Sequence, residues 1–252
     1  MDEQHSVLQS QPSSFMTRAT NVFTAPGELY SEVASAPAQS SSWLVPFLIS
    51  IGLAIVFTFA LYNNLSLRQQ IYDMQTRTIQ KSVDEGKMPQ ERADEMRERM
   101  ENSGPVMFML IGGGSAIFGI AVMFFGATLV LWLIAKFGLK SSGNYQKMLE
   151  VFGLASLVSI LGSIITLIMM NLFDTMHASP GGGLLVMNSF DPANTGHKLL
   201  ASLNIFTIWQ ASVLGIGVAK ISGKSSGVGI GVTLGLWALW AVVSSLLGFG
   251  MR

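Results

Sequence analysis

The sequence predicts an all-α membrane protein, a polytopic helical bundle of about five transmembrane helices, and three observations support this fold class. The chain of 252 residues has a mean hydropathy of +0.47 and 12% charged residues, about half the charged share of an average soluble protein. No Asp, Glu, Lys or Arg occurs between Glu101 and Lys136, and a bilayer is crossed by only about 20 helical residues. The charges crowd into residues 68–101, so the remaining stretches are long and apolar.

Composition also narrows the classes of function. The formal net charge is zero, so no nucleic-acid partner is expected. The chain has no cysteine, which excludes disulfides, thiolate nucleophiles and Cys-ligated metals. Residues 1–42 lack the basic-then-apolar pattern of a cleaved signal peptide, so we expect the first apolar stretch to stay in the mature protein.

The N-terminal 42 residues are predicted to comprise a tail and an amphipathic segment. Residues 1–13 are rich in Ser and Gln, which is typical of disorder. Over residues 14–42, apolar side chains such as Phe15, Val22 and Leu29 alternate with polar ones, and Pro26 suits the first turn of a helix. We expect this segment to lie at the membrane interface before the first span. A disordered tail with some aromatic residues is the alternative.

Residues 43–252 are predicted to form the membrane domain. The five predicted spans are 43–62, 107–135, 149–173, 199–221 and 228–249. Trp43 and Tyr62 stand at the two ends of the first span, as members of an aromatic belt do. Three glycines in succession, 112–114, could kink the second span. If they instead divide it into a re-entrant pair, the chain has six spans.

Between the first two spans, residues 65–104 are predicted to form a charged helical hairpin outside the membrane. Gly86 suits the end of its first helix and Pro89 the start of its second. Apolar side chains recur at helical spacing in both halves: Leu67, Ile71, Met74, Ala93, Met96 and Met100. The stripe either joins the two helices of a solvated spacer or docks a protein partner.

Small residues predict a tight contact between the last two spans, because lipid offers no hydrophobic drive and helices associate where their backbones approach closely. They recur every four residues in both spans: Ala211, Gly215, Ala219, Gly227, Gly231 and Gly235. This pattern predicts that Gly231→Leu lowers stability in detergent well beyond Gly229→Leu.

Basic residues in the short connections predict the orientation. Three follow the second span and two follow the fourth: Lys136, Lys140, Lys147, Lys220 and Lys224. They place the N-terminus in the cytoplasm and the C-terminus outside. The hairpin opposes this assignment, since it carries seven basic residues.

The sequence offers no catalytic, cofactor-binding or metal-binding residues. Ionisable groups inside a membrane are costly and usually functional, and the cores of the five predicted spans carry none. Asn204 and Gln210 are the conspicuous polar side chains there, and we expect Gln210 to make an interhelical hydrogen bond rather than to bind a substrate. The third connection groups carboxylates with imidazoles, but at a spacing that matches no zinc motif: Asp174, His177, Asp191 and His197.

A series of short motifs carries a family resemblance. In chain order they are Phe23-Thr-Ala-Pro26-Gly-Glu28-Leu29-Tyr30, Trp43-Leu44-Val45-Pro46, Gly143-Asn144-Tyr145-Gln146-Lys147, Asp191-Pro192-Ala193-Asn194 and Leu203-Asn204-Ile205-Phe206-Thr207-Ile208-Trp209. From about residue 20 to the C-terminus the chain resembles the Yip (Ypt/Rab-interacting protein) family, and within it the prokaryotic branch. The resemblance implies a five-span protein with a cytoplasmic N-terminus, in a prokaryotic inner or plasma membrane. Its eukaryotic members bind Rab GTPases in vesicle traffic, but no residues here match a GTPase contact.

The sequence is compatible with two functions. The first is a non-enzymatic membrane scaffold or adaptor that contacts membrane lipid and binds a protein partner through residues 65–104 or the N-terminus, with homo-oligomers left open. The second is a small solute transporter or channel, in which a second span broken at the glycines exposes backbone carbonyls to a solute.

Overall fold

A computed structural model describes residues 13–101 and 104–247, and over these ranges the chain is helical apart from short connections, with no β-strand. The helices are α1 Phe15–Thr24, α2 Pro26–Ser35, α3 Ser41–Asn63, α4 Leu65–Asp84, α5 Gln90–Glu101, α6 Val106–Gly138, α7 Tyr145–Phe173, α8 Gly183–Val186, α9 Thr195–Ser202, α10 Ile205–Ile221 and α11 Ser226–Leu247. The predicted all-α membrane bundle is confirmed.

Four helices, α3, α6, α7 and α11, are long and apolar enough to cross a membrane. The fifth apolar helix, α10, has 17 residues, or about 26 Å at 1.5 Å per residue. That length is somewhat less than the roughly 30 Å of a bilayer core. The described chain therefore holds four helices of spanning length and one shorter apolar helix.

The second span is one continuous helix, and its glycines do not divide it into two. Its glycines lie in and after a π-helical turn, Met109–Gly113, and Gly113 and Gly114 keep α-helical φ and ψ. Glycine permits a break but does not require one. A Cβ on Gly112 would lie 3.6 Å from the methyl group of Thr58 on α3, an ordinary van der Waals distance, so the packing against α3 does not require glycine there.

The predicted fourth span, 199–221, is two helices. Between α9 and α10 the chain pairs with the segment after α7: the Gly182 N–H donates to the Leu203 carbonyl over 2.7 Å, and the Ile205 N–H to the Pro180 carbonyl over 3.1 Å. Asn204 then caps α10, since its side-chain oxygen accepts from the Phe206 N–H. Asn204 is thus a capping residue at a helix end and not a polar side chain inside a span, as the sequence suggested.

The long helices alternate in direction, so the bundle has two distinct ends. At one end the Asn64 side chain donates to the Asp174 carboxylate over 2.8 Å, and α4 and α5 follow from α3. We call this the hairpin end. At the opposite end the Ser141 hydroxyl donates to the Ile221 carbonyl over 2.9 Å.

The N-terminal segment forms a hairpin of α1 and α2 that is packed into the bundle. Its apolar side chains Val22, Leu29, Tyr30 and Val33 are at most 1% exposed and join a core cluster built mainly from α7 and α10. Amphipathicity predicts an apolar face but not what covers that face; here the bundle covers most of it, and Met16 and Phe23 remain exposed. Of the predicted disordered tail, residues 1–12 lie outside the described part of the chain.

Helices α10 and α11 pack as an antiparallel pair, but through a different face of α11 than the glycine repeat predicted. A Cβ on Gly229 would overlap the Gly215 carbonyl and the Ala219 side chain. The Thr233 hydroxyl donates to the Ala211 carbonyl over 2.7 Å. A Cβ on each of the three predicted glycines would meet no atom within 4 Å: Gly227, Gly231 and Gly235.

The difference between the predicted and the observed contact face of α11 has a simple geometric cause. Gly229, Thr233, Ala241 and Ser245 are the buried residues of this face, and they follow the same four-residue spacing as the glycine repeat, two residues out of phase. A shift of two residues turns a helix by about 200°. Spacing alone therefore cannot decide which face makes contact, and the predicted order of the Gly231 and Gly229 variants is reversed.

Candidate functional site

A buried charge cluster joins the N-terminal hairpin to the first turns of α3 and α7. The Arg18 guanidinium is fully buried, and its two terminal nitrogens lie 2.9 Å from the Glu32 carboxylate and 3.2 Å from the Glu150 carboxylate. It also donates to the Ser42 hydroxyl over 2.9 Å. Glu150 is itself fully buried, so α1, α2, α3 and α7 meet at one set of polar contacts.

Lys147 completes the cluster and fastens the end of α2. Its ammonium lies 2.9 Å from Glu150 and donates to the carbonyls of Val33 and Ala36 over 2.7 and 2.6 Å. A cation among the last carbonyls of a helix also interacts favourably with the helix dipole. Two cations and two carboxylates balance in charge, which a buried cluster requires.

The Glu32 carboxyl titrates below its ordinary range. Burial by itself raises the pKa of Glu32, but hydrogen bonds from Ser13 and from Arg18, with the positive charge of Arg18, outweigh it and lower the pKa. The ionised form is therefore the one that the folded protein favours.

This cluster is not among the sites predicted from the sequence. Glu150 falls within the predicted third span, at its first turn, and it is the one ionisable residue there. Arg18 stands four residues before Val22, on the face of α1 that is buried. Two signals in the sequence point to a buried ion pair. One is a charge within an otherwise uncharged span, and the other is a charge within an apolar helical stripe. Taken together, they would have predicted this cluster.

Two of the motifs hold helix ends in place. Asn144 caps α7, since its side-chain oxygen accepts from the Lys147 N–H over 2.9 Å, and the Tyr145 hydroxyl donates to the Phe125 carbonyl over 3.1 Å. Asn194 caps α9 in the same way. These residues position helices rather than form a reactive site.

The third connection is structural in the described chain. The His177 and Phe190 rings stack at 3.9 Å, burial lowers the pKa of His177, and the His197 ring accepts from the Asp191 N–H. Asp174 takes a left-handed backbone conformation at the end of α7. Within residues 13–101 and 104–247, no group of three or more His, Asp or Glu residues could hold a metal ion.

The α4–α5 hairpin is the polar element at the hairpin end. Its turn contains Gly86 with φ of +69°, and Leu67, Ile79 and Ala93 are its buried apolar side chains. Gln70 fixes it to the bundle, because its side chain donates to the Asp174 carbonyl over 2.8 Å and accepts from the Met176 N–H over 3.0 Å.

An elongated cavity of about 740 Å³ lies between α3, α6, α7 and the α4–α5 hairpin. At the hairpin end its wall includes the ring pair Tyr72 and Phe108, 6.4 Å apart. Toward the opposite end it includes Phe124 and Phe152, 5.0 Å apart. Between these pairs the walls are apolar side chains and hydroxyls, with the side chain of Gln210 from α10.

Gln210 does not make the interhelical hydrogen bond that the sequence predicted. It is partly buried and lines the cavity, but it forms no hydrogen bond with residues 13–101 or 104–247. The interhelical hydrogen bond in this region is instead the one that the Thr233 hydroxyl of α11 donates to the Ala211 carbonyl of α10. Asn204 and Gln210, which the sequence grouped together, have separate roles at a helix cap and in a cavity wall.

Comparison with known families places the chain. A family model, the Yip1 domain, matches residues 20–248, which include the second half of α1, all of α2 and all the long helices. Neither the curated proteins nor the solved structures contain a match. The resemblance carried by the short motifs is thus confirmed, and the chain belongs to the Yip1 domain family.

Proposed function

We propose that this protein is a non-enzymatic integral membrane scaffold that recruits a protein partner through the outward face of α5. The family and the apolar helices support a membrane-associated role. The single observation that carries the docking proposal is a row of exposed acidic side chains on α5.

Glu91, Glu95 and Glu98 are exposed and lie on one face of the helix, since residues three and four apart are neighbours. None of the three forms an ion pair with a residue in the described part of the chain. The inward residues Ala93 and Arg97 contact α4, and Arg97 donates to the Gln80 side chain over 2.6 Å. The acidic face is therefore held outward, where a basic protein surface can meet it.

The N-terminal hairpin supports a docking role less well. Its apolar face is buried within the bundle and its charged residues Arg18 and Glu32 are paired. Its exposed side chains include polar ones, such as Glu28 and Ser31, and two apolar ones, Met16 and Phe23, but no row of like charges. We therefore assign partner binding to the α4–α5 hairpin rather than to the N-terminus.

The same proposal places the N-terminus in the cytoplasm of a prokaryotic cell and the hairpin outside. The family resemblance and the lysines at the end opposite the hairpin favour this orientation. The transporter alternative is less well supported, because it required a second span unwound at its glycines. The backbone there is helical and exposes no unwound carbonyls.

The test is crosslinking in native membranes followed by affinity purification and mass spectrometry of the full-length protein. One variant reverses the acidic face by Glu91→Lys, Glu95→Lys and Glu98→Lys. A matched variant, Glu28→Lys, reverses an exposed charge on the N-terminal hairpin. We expect a reproducible partner that the first variant loses and the second retains.

Two outcomes would contradict the proposal. Loss of the partner only with Glu28→Lys would move docking to the N-terminus. Retention of every crosslinked protein by the triple variant, at unchanged expression, would remove α5 as a docking surface.

A further inference from the structure

The cavity extends from the α4–α5 hairpin to the level of the membrane interior, where it is lined by α3, α6 and α7. Along α3 its lining extends from Leu61 to Ser50, which are eleven positions apart, or about 16 Å at 1.5 Å per residue. Ser50 is close to the middle of α3. This half of α3 corresponds to roughly one half of a 30 Å hydrocarbon core.

Gln210 is also level with the middle of the bundle. A Cβ on Gly162 would overlap Phe206, and Gly162 is near the middle of the 29 residues of α7. Gln210 follows Phe206 by one helical turn. Its amide is therefore far from the water at either end of the bundle.

The hydroxyls in the wall are already engaged. Ser156 donates to the Gly153 carbonyl over 2.6 Å, Ser159 to the Ser156 carbonyl over 2.9 Å, and Ser50 and Thr58 likewise bond within α3. The Gln210 amide bonds to no described residue, and neither does the Ser163 hydroxyl that lines the same cavity. A polar group left without a partner in such a place is unfavourable, so this wall favours an occupant that bonds to it.

The lining also limits the charge and size of an occupant. No Asp, Glu, Lys or Arg is among the lining residues, and an ionised group without a counter-ion is strongly disfavoured in an apolar site. An amide both donates and accepts, so it suits a hydroxyl or a carbonyl. The volume of about 740 Å³ falls in the range of sites that enclose one small ligand.

We propose that this cavity binds a single-chain, uncharged membrane lipid, with its hydrocarbon chain along α3 and α6 and a hydroxyl or carbonyl group hydrogen-bonded to Gln210. The surrounding bilayer supplies such a ligand directly, without passage through water. The proposal concerns a different surface from the α5 docking face, so either can fail without the other.

The experiment uses the full-length protein reconstituted in phosphatidylcholine vesicles. Three photoactivatable probes with the same chain are compared: a diazirine octadecanol, a diazirine octadecane and a diazirine octadecanoate held ionised at alkaline pH. Mass spectrometry then compares labelling of the cavity residues Ile120 and Phe124 with labelling of the exposed Val122 and Leu129 on the same helix.

We expect octadecanol to label the cavity residues preferentially and octadecanoate not to do so. Gln210→Leu should reduce octadecanol labelling of the cavity by about tenfold, the factor that one hydrogen bond contributes, while octadecane labelling stays unchanged. Ala54→Phe and Ala116→Phe, which fill the cavity, should remove labelling of both kinds. Val56→Phe, at an exposed position of α3, should not.

Each alternative outcome is decisive. Equal labelling of cavity and exposed residues by octadecanol would mean that the cavity takes no ligand. Stronger cavity labelling by octadecanoate would overturn the uncharged ligand, and equal octadecanol labelling before and after Gln210→Leu would overturn the role of its amide. Size-exclusion profiles and melting temperatures of the variants separate these results from misfolding.

Discussion

The Arg18 guanidinium lies 3.2 Å from the Glu150 carboxylate, and neither side chain is exposed to solvent. The two residues are 132 positions apart in the chain, so their contact joins the N-terminal hairpin to the membrane bundle. Together with the buried apolar side chains of α1 and α2, this contact makes the first helices part of the fold.

Removal of one partner should be severely destabilising. Arg18→Ala leaves the Glu150 carboxylate buried with only Lys147 to balance it, and a broken buried pair costs about 3–5 kcal/mol. Thermal unfolding in detergent measures the effect. Lys81→Ala, which removes an exposed pair with Glu85, is the matched control and should change stability by no more than about 1 kcal/mol. Equal effects of the two variants would contradict a stabilising role for the buried Arg18–Glu150 pair.

The Glu32 carboxyl should make stability depend on pH. Its pKa is lower in the folded protein than in the unfolded chain, so on acidification the unfolded chain takes up the proton first. The stabilisation is therefore present above the ordinary Glu pKa of about 4.3 and is lost as pH falls through the lower folded pKa. Melting temperatures between neutral and acidic pH should fall less steeply for Glu32→Gln than for the wild type.

The His177 imidazole also titrates differently in the folded protein, but this contribution is common to both proteins in that comparison. Burial lowers its pKa, so it too destabilises the fold as pH falls below its ordinary value. The difference between wild type and Glu32→Gln isolates Glu32. Identical slopes would mean that its pairing with Arg18 contributes nothing.

Substitution on α11 distinguishes its two faces. Gly229→Leu must force α10 and α11 apart, because even a Cβ overlaps Gly215, and overpacking of a close contact costs about 1–3 kcal/mol or more. Gly231→Leu adds a side chain to open space and should be near neutral. Melting temperatures in detergent decide between them, and a larger loss with Gly231→Leu would restore the face predicted from sequence.

Cysteine labelling tests the orientation of the bundle, since the chain has no native cysteine. Lys140→Cys lies at the end opposite the hairpin and Glu95→Cys on the exposed face of α5. In intact cells a membrane-impermeant maleimide should label the second variant and not the first. Labelling of Lys140→Cys alone would invert the proposed topology.

The fold class, the family and the existence of the α4–α5 hairpin were all predictable from the amino-acid sequence. These depend on the length of uncharged stretches, the order of short motifs, and the placement of Gly86 and Pro89, all of which are local. Hydropathy alone overestimated the length of the fourth span. Leu203 and Asn204 are compatible with a helix, and it is the backbone pairing of this segment with residues 180–182 that interrupts it.

Which helix faces pack against one another could be seen only in the folded protein. Helical spacing gives the same repeat for Gly231 and for Gly229, and the choice between them depends on the neighbouring helix. The partners of Arg18 and the isolation of Gln210 are likewise contacts between residues far apart in the chain. A periodic pattern specifies that a face exists, whereas what covers that face is a property of the packed bundle.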